Sequence, residues 1–95
     1  MTKTTQIERN RQATELREIA AAHCEMAQDS IEAGEPGYAL EMQHTANYLI
    51  LIAGELEAGN DHRYVLTAAG RHTDMPAMRG EIEALLEDIG VVSVN

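Results

Sequence analysis

The chain has 95 residues, with seven lysines and arginines against sixteen aspartates and glutamates, a net charge of −9 with the histidines neutral. That balance argues against an ordinary DNA- or RNA-binding surface, which needs a basic face to follow the phosphates. One domain of this length buries about 60–65% of its unfolded surface; with no Trp or Phe and only three Tyr, its core must come from Leu, Ile, Met, Val and Ala, which suits closely packed helices.

Thr5-Gln6-Ile7-Glu8 has the spacing of a capping box, so a long first helix is expected over residues 5–33. Its apolar positions, Leu16, Ile19, Ala20, His23, Met26, Ala27 and Ile31, recur at intervals of three and four. The stripe is rich in alanine and predicts close approach of a neighbouring helix. Gly34 and the Glu35-Pro36-Gly37 turn then stop this helix and start another. So short a connection forces an antiparallel hairpin.

The second helix is expected over 36–58, with Tyr38, Met42, Ala46, Leu49, Ala53 and Leu56 facing the first and Gly59-Asn60 as its end. It also carries five apolar residues in succession, Tyr48, Leu49, Ile50, Leu51 and Ile52. At 100° per residue such a run covers about 400° of circumference, more than one neighbour buries. These five residues are therefore the expected interface of a homo-oligomer, the alternative being a monomeric bundle in which later helices fold back over them.

Asn60 or Asp61 caps a short third helix over 61–70, carrying Tyr64, Val65 and Ala68. Thr73 or Asp74 caps a fourth over 75–89, with Pro76 in its first turn, Met78, Ile82, Leu85, Leu86 and Ile89 as its stripe, and Gly90 as terminator. Residues 91–95, VVSVN, are β-branched and uncharged in their side chains, an extended tail expected to dock on its own bundle or on a neighbouring chain. The fold class expected is all-α: an antiparallel hairpin plus two shorter helices in one domain spanning 1–95.

Cys24 is the sole cysteine and closes no intramolecular disulfide, which fits a reducing compartment. MTKTTQIERNR has no apolar core of a signal peptide and no stretch approaches a membrane span. The expectation is a soluble, cytoplasmic protein with no membrane partner.

Little in the chain points to catalysis. His23 and Cys24 are adjacent and diverge by about 100° on a helix, so they do not grip one metal as a pair. His44, His62, His72 and Asp74 show no ligand spacing, and no metal or cofactor is expected. Cys24 has no strand-to-helix elbow around it, and Glu81, Glu83, Glu87 and Asp88 read as the solvated face of the fourth helix. No phosphate-binding or dinucleotide-binding glycine motif occurs. An enzyme is not expected.

Two polar sets remain. His44, Thr45 and Asn47 interrupt an otherwise apolar helix, where Thr and Asn are poor helix formers; they either line a pocket or intersubunit network, or face solvent. Arg9, Arg11, Arg63 and Arg71 either hold an anionic ligand or pair with nearby acids, as Arg11 and Glu15 do at four-residue spacing.

Short length, low pI and a hairpin built on IEAGEPGYALEMQHTANYLILIAGEL resemble, over residues 5–59, the small helical proteins that phages encode against host systems. Those include anti-CRISPR inhibitors, quorum-sensing antiactivators and sponges that sequester cyclic oligonucleotides. The resemblance implies a non-catalytic protein that inhibits a regulatory partner by binding it; no residue role is carried over. Acidity places the expected partner-binding face at Glu41, Glu55 and Glu57. The alternative is an oligomer that sequesters a small anionic nucleotide through His44, Asn47, Tyr48, Arg9 and Arg63.

Overall fold

A computed structural model describes residues 6–60 and 76–91, with side chains of the second segment from Gly80 onward. Its elements are three helices, α1 (Gln6–Glu32), α2 (Pro36–Ala58) and α3 (Pro76–Ile89), and the described residues contain no strand. The third helix expected over 61–70, the caps at Thr5, Thr73 and Asp74, and the tail beyond Val91 lie outside the described residues.

Packing between α1 and α2 follows from an alanine ladder. Ala13, Ala20 and Ala27 recur every seventh residue on α1, Ala39, Ala46 and Ala53 do so on α2, and all six are buried. Their residue numbers pair as 13 with 53, 20 with 46 and 27 with 39, the register of an antiparallel hairpin turning around residue 33. Alanine at every level removes the side chains that normally hold helices 8–10 Å apart. The larger core residues, Leu16 from α1 and Leu49, Ile52 and Leu56 from α2, fill the space beside the ladder and are essentially inaccessible to solvent.

All three helices end alike. Gly34, Gly59 and Gly90 adopt positive φ, at 81°, 78° and 91°, and the next residue's amide reaches back to a carbonyl one turn earlier: Glu35 to Ser30 at 2.8 Å, Asn60 to Glu55 at 2.9 Å and Val91 to Leu86 at 2.8 Å. This is the Schellman closure, and the left-handed residue it requires strains any side chain with a Cβ. Pro36 occupies the first turn of α2, where its missing N–H costs nothing.

The helix α3 adds Ile82 and Leu86, and the residue after its cap adds Val91, to the core formed by Leu16, Leu49, Ile52 and Leu56, with Leu85 and Ile89 partly buried against it. The buried Gln12 amide donates to the Gly90 carbonyl at 3.0 Å and ties the end of α3 to α1.

Several stripe positions depart from expectation. Met26, Ile31 and Tyr38 are exposed, because the buried apolar cluster near the turn consists, among the described residues, of Ala27, Ala39 and Met42. Gln12, Ser30 and Thr45 are buried instead. The Thr45 hydroxyl donates to the Glu41 carbonyl at 3.0 Å, which satisfies it inside the helix and lets it face the core.

Candidate interaction surface

The five-residue run of α2 divides by direction. Leu49 and Ile52 point into the hairpin and are 0% exposed, so they belong to the chain's own core rather than to an intersubunit surface. Ile50 and Leu51 point outward and are 44% and 55% exposed. Tyr48 packs at the core's edge, half-buried. Among the described residues, α1 and α3 enclose Leu49 and Ile52 and leave Ile50 and Leu51 exposed.

Leu51 belongs to a longer strip. Leu40, His44, Asn47, Leu51, Gly54 and Ala58 follow one another at intervals of four, three, four, three and four, which keeps them on one line along the helix, opposite the buried positions. Leu40 is 56% exposed, Asn47 and Ala58 are exposed, and His44 and Gly54 are half-buried. No member of the strip is charged, and α2 contains neither Lys nor Arg. A solvent-facing stripe of a surface helix is normally charged and polar. Leu40, Gly54 and Ala58 were not singled out from the sequence, although the alternation of four and three among uncharged residues marks the line.

The polar cluster read from the sequence is thereby split. Thr45 faces inward, Asn47 faces outward about 200° away, and His44 sits half-buried on the outer side. They do not line one pocket. The ligand-binding set loses Arg9 as well: its Nε donates to the Leu56 carbonyl at 3.1 Å and its guanidinium to the Asn60 carbonyl at 2.6 Å. With Gln6, whose amide donates to Leu56 and Glu57 carbonyls at 3.2 and 3.0 Å, it closes the C-terminus of α2, where carbonyl oxygens and the helix dipole favour a cation. Arg63 lies outside the described residues, as do Arg71, His62, His72 and Asp74.

The remaining arginines of the hairpin are also engaged. Arg11 pairs with Glu8 and, at 3.2 Å, with Glu15, and Arg17 reaches across from α1 to Glu57 at 2.5 Å. The hydrogen bond from Arg11 holds the Glu8 carboxyl below the usual carboxylate range, and that from Arg17 does the same for Glu57; each arginine is raised in return. The proposed acidic face needs correction on this ground. Glu57 is neutralised by Arg17 and stands about 160° around α2 from Glu41, while Glu41 and Glu55 share a side about 21 Å apart. The three do not form one patch; they flank the uncharged strip on its two sides.

Residues 6–60 hold ten carboxylates and three arginines, a net of −7. Among the described residues, no three of His, Cys, Asp and Glu come together to hold a metal ion. The His23 Nδ1 lies 2.8 Å from the Ile19 carbonyl and donates to it, a bond within α1. Cys24 is half-buried beside the core. No helix among the described residues is long and apolar enough to cross a membrane. Compared with protein-family models, curated proteins and solved structures, the chain matches none.

Proposed function

We propose that this chain is a non-catalytic interaction protein that regulates or inhibits a partner by binding it through the outer side of α2. The observation that carries this reading is the uncharged strip from Leu40 to Ala58, with Leu40 and Leu51 about half exposed on it and Ile50 exposed beside it. Large apolar side chains gathered on one side of a surface helix, without charges among them, are what a partner covers. The acidity around the strip suits a partner with a basic surface, such as a protein whose nucleic-acid-binding site an acidic competitor occupies. Size, charge and hairpin also resemble the phage-encoded inhibitors, which act without chemistry of their own.

A homo-oligomer built on Tyr48–Ile52 has less behind it than the sequence implied, because two of the five side chains are spent inside the chain. Sequestration of an anionic nucleotide through His44, Asn47, Tyr48, Arg9 and Arg63 has less behind it as well, because Arg9 is engaged by the Leu56 and Asn60 carbonyls.

The test is native mass spectrometry of the protein purified gently from the cells that make it, alongside a Leu40→Ser/Leu51→Ser variant of unchanged circular dichroism. A protein bound in fixed stoichiometry to the parent and missing from the variant is the expected result. An added mass of nucleotide size, retained by the variant, would replace this reading with ligand sequestration.

A further inference from the structure

We infer that the occupant of the α2 strip is a basic amphipathic helix of a partner protein, laid along α2 from Leu40 to Ala58. The inference rests on the interaction-protein reading and adds the partner's chemistry. Three observations carry it.

Spacing is the first. The alternation of four and three among Leu40, His44, Asn47, Leu51, Gly54 and Ala58 is that of the seam along which one helix packs on another. Eighteen residue steps from first to last make a line of about 27 Å, five turns, enough for anchors at successive turns of a docked helix.

Relief is the second. Leu40 and Leu51 stand out from α2, and Gly54 and Ala58 follow them as low ground; a Cβ added at Gly54 would meet nothing within 4 Å. A bulky side chain of a docked helix therefore has room over Gly54, while Leu40 and Leu51 insert between its neighbours.

Charge selects the occupant. The positions flanking the seam carry Glu41 and Glu55 on one side and Glu57 on the other, and each arginine of residues 6–60 is engaged at a helix end or in an ion pair. Arg17 matches Glu57, whereas none of these arginine pairs involves Glu41 or Glu55, so the seam is negative along their side. A second copy would bring the same carboxylates; antiparallel about a two-fold axis, Glu41 of one chain comes beside Glu55 of the other, like charges at the rim. A helix with Lys or Arg beside its apolar line meets Glu41 and Glu55 with opposite charge and gains on-rate as well as specificity.

The experiment titrates the full chain with two labelled synthetic helical peptides that share a leucine seam, one flanked by lysines and the other by glutamates, followed by fluorescence anisotropy. The lysine peptide should bind, at least about tenfold more tightly than the glutamate peptide. Leu40→Ser/Leu51→Ser should weaken it by about tenfold or more, and Glu41→Gln/Glu55→Gln by several-fold with a shallower salt dependence. Equal binding of both peptides, or lysine-peptide binding that survives Leu40→Ser/Leu51→Ser, would overturn the proposal, the latter by showing attraction to net charge alone. Sedimentation of the chain by itself separates the two levels. A dimer dispersed by Leu51→Ser would put a second copy on the strip and overturn the basic helix while leaving the interaction-protein reading intact. A chain whose native mass shows only a small molecule would remove both.

Discussion

The two ends of the hairpin are built from the same helices and differ in what lies beside them. At the open end, Leu16, Leu49, Ile52 and Leu56 are sealed by Ile82 and Leu86 of α3 and by Val91 just beyond it. At the turn, the buried apolar set shrinks to Ala27, Ala39 and Met42, and Met26, Ile31 and Tyr38 stand in solvent. The difference teaches that two alanine-laddered helices bury their own contact line but little more. Larger side chains are enclosed only where a third element arrives from a distant part of the chain.

Core truncation should separate the ends most sharply. Leu49→Ala opens a cavity among fully buried neighbours and should cost about 3–4 kcal/mol, whereas Met42→Ala, at the edge of the small cluster, should cost about 2 kcal/mol. Urea denaturation of both variants checks this, and equal losses would mean that the turn end is as well enclosed as the open end.

A backbone change at the turn comes next. Gly34 holds φ at 81° with open space around the position of a Cβ, so Gly34→Ala meets strain rather than a clash and should cost about 1–2 kcal/mol. A melting temperature unchanged from the parent would show that the hairpin turn has another conformation available.

The tie between α1 and α3 is weaker. Gln12→Ala removes the donor to Gly90 at 3.0 Å and should cost about 1 kcal/mol, with faster amide exchange in α3 and little change near the turn. Uniform exchange across both regions would contradict the assignment of Gln12 to α3.

Smallest is the acid response of the cross-helix pair Arg17–Glu57. The hydrogen bond from Arg17 lowers the Glu57 carboxyl, so the folded state binds its proton less readily than the unfolded chain. The pair's contribution is therefore complete above the ordinary carboxylate value of about 4.3 and is lost as pH falls through the lowered folded value. Both partners are exposed and screened, so the effect is slight. Glu57→Gln should flatten the urea midpoint against pH over about pH 5 to 3 relative to the parent, and an unaltered slope would assign the acid response to Glu8 and its neighbours.

Much of the fold was legible because its signals are local. Gly34, Pro36 and Gly59 mark where helices stop and start by backbone geometry alone, and both helices of the hairpin end within a residue of where those signals place them. The register was not read, since neither Ala13 nor Ala39 was singled out, although both complete the seven-residue recurrence of Ala20 and Ala27 on one helix and of Ala46 and Ala53 on the other. The surface was less legible. Five apolar residues from Tyr48 to Ile52 read as one interface, yet consecutive residues on a helix point in different directions, and which of them find a neighbour depends on where that neighbour lies.

By itself, then, the sequence determined the helical class and the antiparallel hairpin, since these follow from periodicity, glycine and proline within short spans of chain. Tertiary structure alone decided that Leu49 and Ile52 are core while Ile50 and Leu51 are surface, that Arg9 serves a helix end, and that Glu57 is matched by Arg17. Each of those outcomes turns on a group forty or so residues away or on a third helix, and burial and pairing are properties of such distant neighbours.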